Sequence, residues 1–250
     1  MSKLWRGVSA MVALGLAGTA EADTILFEDF EDATVAYAAN PADDLSDIGN
    51  NDYYGLVQTS SLPSNVNYSN VQGSGVFAAQ DTDGVPGSGS TFSVTLTWSS
   101  IDIASFTNLD LSWFIAEDDA SDGTEDWDST TSVRIDVQID GGGFDQVFGI
   151  EAEDNTGNVA PRVDTNFDGL GNGVEITSSF AQFNTLIGDG SVLDIRLVIE
   201  DLDTSEEDIA FDSLLLTGDP TSVAVPLPGS LVLFAPALAL LGFAGRRRAG

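Results

Sequence analysis

The sequence predicts an all-β fold, an antiparallel β-sandwich of jelly-roll-like form with a helix at either end. Three observations carry this prediction. Apolar residues recur at every second position in several segments, as half-buried strands require. Gly, Asp, Ser and Asn fall between those segments, where turns need them. No stretch of the body shows the apolar spacing of an amphipathic helix longer than two turns.

In order along the chain, residues 1–22 read as a secretory signal peptide. Lys3 and Arg6 form a positive start, Val8 to Leu16 is a short apolar run, and Ala20-Glu21-Ala22 is a small-residue cleavage site. A single acidic domain is expected over residues 23–219, a linker over 220–224 and a C-terminal signal over 225–250. "TILFEDF" and "GVFAAQ" are short strand candidates, and residues 38 to 72, rich in Asn, Asp and Ser, read as long loops with short strands. "TFSVTLTW" places Phe92, Val94, Leu96 and Trp98 on one face; "LDLSWFI" does so with Leu109, Leu111, Trp113 and Ile115. "SVRIDVQID" alternates Val133, Ile135, Val137 and Ile139 against Arg134, Asp136, Gln138 and Asp140. Asp140 to Gly143 reads as a hairpin turn into "FDQVFGI", because glycine supplies the positive φ that tight hairpins use. "LDIRLVIE" and "DIAFDSLLL" complete the set, with the last strand expected to end at Leu216.

Composition narrows the chemistry. The chain has 250 residues, 40 of them acidic and 8 basic, with no His and no Cys. Setting aside Glu21 and the five terminal bases leaves 39 acids against Arg134, Arg162 and Arg196, a net charge of −36 on the body. Such a charge strains a compact fold by self-repulsion unless salt, spacing or bound divalent cations offset it. Nucleic acid is excluded as a partner, since it requires clustered Lys and Arg. The missing His and Cys exclude Ser-His-Asp and thiol nucleophiles, thiolate zinc sites and disulfides. No catalytic residue is assigned. A carboxylate-pair glycosidase survives composition alone, but the acidic clusters "EEDIAFD" and "EDWD" do not reproduce an E-x-D-x-x-E arrangement.

Calcium is the expected cofactor. "DTNFDGLGNGVE" fits D-x-[DN]-x-[DN]-G-x5-E, in which Asp164, Asn166 and Asp168 point oxygens at one cation. Gly169 permits the turn, the Leu170 carbonyl adds an oxygen and Glu175 closes the shell. Gly171 and the absence of flanking helices depart from an EF-hand, so the loop is expected in a β context; a metal-free turn is the alternative. A second candidate set joins the ends of the body. By analogy with jelly rolls whose first and last strands share a calcium, Glu28, Asp29 and Asp212 would meet, with Asp81 nearby. The third cluster, "EDDASDGTEDWD", packs seven acids into twelve residues. Trp127 within it is a candidate ligand-binding residue that stacks on a sugar, or else packs into the sandwich edge. A carbohydrate-binding reading would use Trp127, Tyr53 and Tyr54 as exposed rings.

The chain closes on "VPLPGS", an apolar run from Leu231 to Ala244 and then Arg246, Arg247 and Arg248. Fourteen apolar residues fall short of the roughly 20 a spanning helix needs, and three arginines after the run would stay cytoplasmic. Val225, Pro226, Leu227 and Pro228, the apolar run and the arginine cluster together resemble a PEP-CTERM sorting domain of the VPLPA type. Gly229 stands where that motif usually has Ala. The resemblance implies Gram-negative export, an exosortase as partner, transient contact of the C-terminal helix with the inner membrane, and delivery to the cell surface or an exopolysaccharide matrix. It assigns no activity to the body. The expectation is an exported, non-enzymatic, calcium-stabilised β-sandwich for adhesion, matrix structure or glycan contact.

Overall fold

The computed structural model describes residues 22–85, 93–118 and 127–221. The expected signal peptide, except Ala22, and the whole sorting signal from Val225 to Arg248 lie outside them. The strands are β1 (Asp23–Glu28), β2 (Ala38–Asn40), β3 (Asp44–Asp47), β4 (Asp52–Gln58), β5 (Gly75–Gln80), β6 (Ser93–Asp102) and β7 (Phe106–Ala116), then β8 (Ser132–Ile139), β9 (Asp145–Ala152), β10 (Pro161–Val163), β11 (Ala181–Ile187), β12 (Val192–Glu200) and β13 (Asp208–Pro220). Helix among the described residues is limited to two 3-10 turns, Ile48–Asn50 and Thr59–Ser61.

Two antiparallel sheets form the sandwich. The first runs β11-β7-β13-β5-β4-β3, with β1 also on β13; the second runs β10-β9-β8-β12-β6-β2. β13 pairs its first half with β5 and its second half with β1, so the first and last strands do lie together. The expected inward faces meet in one core. Leu109, Leu111, Trp113 and Ile115 of β7 are buried with Val133, Ile135 and Val137 of β8 and with Leu193, Ile195, Leu197 and Ile199 of β12. The predicted hairpin turn forms at Asp140 (φ 52°) and Gly141 (φ 72°), closed by a 3.0 Å bond from the Gly142 N–H to the Ile139 carbonyl. Positive φ at both central positions makes it type I′, whose twist matches the strands it joins.

Two expectations need correction, and one strand has no counterpart in the sequence reading. The last strand does not end at Leu216 but continues to Pro220, because β7 pairs with it as far as Phe106 opposite Pro220. A proline at the strand end removes no interior ladder bond. Within residues 38–72, β4 is a full seven-residue strand whose Tyr53, Tyr54 and Val57 are buried. β11, with no clean alternation, is a further strand on the edge of the first sheet.

The first sheet is covered on its outer side too. Tyr53, Val57, Val76, Ala78, Ala116, Phe180 and Ala210 form a second apolar cluster under Leu62, Tyr68 and Val71. Alanines at 78, 116 and 210 leave room for the segment 62–72 to lie on the strands. That strap is anchored by acids of the sheet: Asp118 accepts from the Asn67 N–H at 3.0 Å, Asp212 from the Gln72 N–H at 2.7 Å, and Asp208 from the Tyr68 hydroxyl.

Candidate metal centre

Three loops meet at one end of the sandwich: residues 81–85 after β5, 127–131 before β8 and 201–207 before β13. The Thr82 N–H bonds the Leu202 carbonyl at 2.8 Å, and the Thr131 hydroxyl, whose one proton is shared with Glu207, lies 2.9 Å from the Asp201 carbonyl, which ties the three together. One carboxylate oxygen each from Asp128, Asp203 and Glu207 lies within 4.8 Å of the others. This is the group of three acids among the described residues that can hold a metal ion.

Glu207 is the anchor. It is 0% exposed. Its Oε1 accepts from the Asp128 N–H (3.0 Å) and the Thr131 hydroxyl (2.6 Å), and its Oε2 from the N–H groups of Asp203 (2.8 Å) and Thr204 (3.2 Å). Those donors favour the ionised form, yet burial outweighs them and pushes the carboxyl up to about 7. Asp128 turns Oδ1 to the N–H of Thr130 (2.7 Å) and of Thr131 (3.3 Å), which holds its carboxyl below the usual range despite burial. The Asp203 carboxyl is raised by burial, and then by Asp128, Asp83 and Asp201. Asp81, at the same end, is pushed up to about 6 by burial, by a hydrogen bond with Asp83 and by the charge of Asp52.

All three arginines of the body form their ion pairs elsewhere: Arg134 with Asp136 and Glu200, Arg162 with Glu153 and Glu175, Arg196 with Asp136. Carboxylates crowded in this way favour an oxygen-seeking cation. Chemically the set fits a divalent ion, with Asp128 and Asp203 as ligands and Glu207 either fixing the two loops or lending an oxygen it now gives to amides.

The sequence candidates arrange differently. Asp164 is buried, but its carboxylate caps its own loop, accepting from the N–H groups of Asn166 (3.1 Å), Phe167 (2.8 Å) and Gly169 (3.0 Å). Asn166 donates to Asp168 at 2.8 Å, so these three are brought together. Glu175 is drawn instead onto Arg162, and Leu170 is half-buried. In the second set, Glu28 accepts from the N–H groups of Phe30 (3.3 Å) and Ala36 (2.7 Å), and Asp29 from that of Glu31 (3.1 Å). Asp212 holds the strap. Asp81 stands at the opposite end of β5 from the β1 contacts, so the four do not form one group.

The ring candidates are corrected by burial. Trp127 is 0% exposed and packs in the core, with its backbone bridged to Val159. Tyr53 and Tyr54 are buried as well, so none of the three presents a face for stacking. The acidic clusters "EDWD" and "EEDIAFD" are visible in the sequence, but their spacing does not show that they contribute Asp128 and Glu207 to one site. Asp203, within "EDLDTSEED", carried no signal of its own.

No protein-family profile matches the chain, and no curated protein does. Among solved structures, it is similar to a Stig cyclase from Fischerella (14% identity, 81% of this chain and 100% of that one, TM-score 0.47). It is also similar to a family 22 xylan-binding domain from Paenibacillus barcinonensis (10% identity, 82% and 100%, TM-score 0.39). A third is a family 61 carbohydrate-binding module solved with β-1,4-galactotriose (12% identity, 72% and 86%, TM-score 0.38). At these values the likenesses transfer neither ligand nor activity.

Proposed function

We propose that the chain is an exported, non-catalytic surface or matrix protein whose acidic β-sandwich is closed at one end by calcium and serves adhesion or glycan contact. The observation that carries the reading is the meeting of Asp128 from one loop with Asp203 and Glu207 from another, with every body arginine engaged elsewhere. A buried Glu207 with four donors cannot touch a substrate, which favours a metal-holding role for this cluster over a glycosidase pair. The tail supports export through an exosortase, and extracellular calcium suits weak sites. Calcium at 100 times its Kd would add about 2.7 kcal/mol to stability. Melting the purified protein in calcium and in chelator should therefore separate the two curves, and Asp203→Asn should bring them together. Equal melting temperatures for the wild type would remove the calcium reading. Retention on an exopolysaccharide column, with none by the thermally unfolded chain, tests the glycan reading independently.

A further inference from the structure

We infer that the outward face of the second sheet holds a binding row for a neutral polysaccharide, formed by Thr97, Arg196, Asp136 and Gln146. The row names a surface for the glycan contact proposed above and rests on that reading. It follows from register. Thr97 of β6 stands opposite Arg196 of β12, Arg196 opposite Asp136 of β8, and Asp136 opposite Gln146 of β9. Directly opposed residues share a face. The residues on either side, Leu96 and Trp98, Ile195 and Leu197, Ile135 and Val137, point into the core, so this face is the outer one. Gln146 reaches over Gly149 on that face, where an added Cβ would stand 2.5 Å from its Nε2. Polar side chains thus line up across the sheet over about 14 Å, three strand spacings.

The two arginines of this face are used differently. Arg134 gives both amino groups to Glu200 and its Nε to Asp136 at 3.3 Å. Arg196 bonds Asp136 through Nε alone, at 2.7 Å, and its Cζ lies 4.1 Å from the centroid of the Phe144 ring. Ion pair and ring hold the guanidinium in place, while its two amino groups bond no other described residue. Both arginines take the same oxygen of Asp136, Oδ2, which leaves Oδ1 to accept from another donor. Gln146 gives its Nε2 to the Phe148 carbonyl at 3.4 Å and keeps Oε1 as an acceptor.

This donor and acceptor pattern selects the occupant. A guanidinium only donates and a carboxylate only accepts. Side by side they suit a group that accepts from one and donates to the other, as a hydroxyl does. The Thr97 hydroxyl and the Gln146 amide extend the same chemistry to either end, so an extended chain bearing many hydroxyls meets the whole row. Charge excludes an anionic chain: the body carries −36, and Asp136 and Glu200 already offset Arg134 and Arg196. A protein partner would meet an apolar centre, and none of the exposed large apolar residues, Phe27, Phe167, Val174, Leu186 and Val192, belongs to the row.

Binding of the full chain to immobilised dextran, mannan and β-glucan, with alginate as the anionic control, tests this. The wild type should bind a neutral polysaccharide equally at low and high salt, and should not bind alginate. Arg196→Met keeps a stem over Phe144 and leaves Asp136 paired with Arg134, so it should stay folded by circular dichroism and bind about tenfold more weakly. Thr97→Val removes only a hydroxyl at the end of the row and should bind about threefold more weakly. Asn184→Ala, on β11 of the first sheet, should bind as the wild type does. Neutral-polysaccharide binding that survives both row variants would overturn the row and leave the glycan reading standing. Binding to alginate alone would overturn the neutral ligand. No binding to any of the three neutral polysaccharides would remove both the row and the glycan reading, while the calcium reading is judged separately by melting.

Discussion

Glu151, half-buried on the outer face of the second sheet, shows how one side chain couples this molecule to pH. Burial raises its carboxyl from an ordinary 4.5 to about 7; the charges of Asp164 and Glu200 add to the rise and Arg134 opposes it. The folded state therefore holds this proton more tightly than the unfolded chain does. Its contribution to stability is full below pH 4.5 and is lost as pH rises through about 7. Glu151→Gln keeps the shape and removes the titration. Denaturant midpoints measured for both proteins between about pH 5 and 8 should show the wild type losing stability faster than the variant. Parallel curves would mean Glu151 does not titrate there. This residue scale is also where the sequence was least legible. Trp127, set among acids, reads as either a stacking ring or a packed one, because local neighbours do not reveal the core that buries it. Asp128 and Glu207 stood in visible acidic clusters, yet their meeting depends on loops 79 residues apart.

At the scale of elements, alternation marked the strands with one buried face, while β5, buried on both, showed as a short apolar run. β6, β7, β8 and β12 were legible because apolar residues face a single core. β11 was not, since as an edge strand it exposes Leu186 and half-buries Phe183. The strap was read as loop, but its docking was invisible: Gln72 reaches Asp212 across 140 positions. That anchor yields a prediction. Asp212 is 0% exposed and accepts from the Gln72 N–H and the Ser213 hydroxyl. Asp212→Ala removes the acceptor of the strap's Gln72 N–H, at a cost of about 0.5–1.5 kcal/mol. Urea unfolding should show that loss, and a protease should cut first within residues 62–72. Cleavage elsewhere with the strap intact would show that the apolar contacts of Tyr68 and Val71 hold it without the acids.

The whole molecule is set by its charge. Thirty-nine acids and three arginines share a body packed round one apolar core, so the fold is held against its own repulsion. Part of this was legible from composition alone; which acids are crowded was not, because sequence spacing does not reveal the common end where residues 81–85, 127–131 and 201–207 meet. Two remedies act at different ranges. Salt screens all exposed charges together, so melting temperature should climb steeply at low sodium chloride and flatten near about 1 M, where the Debye length falls to about 3 Å. A bound divalent ion acts only on the acids it touches. Calcium and sodium chlorides compared at matched ionic strength therefore separate the two. Calcium should give an extra rise that saturates, persists in high sodium chloride and disappears in Asp203→Asn, while the sodium dependence of that variant stays as in the wild type. If calcium and sodium give the same curve at equal ionic strength, the crowded end is relieved by screening alone and Asp128, Asp203 and Glu207 serve only to tie the loops.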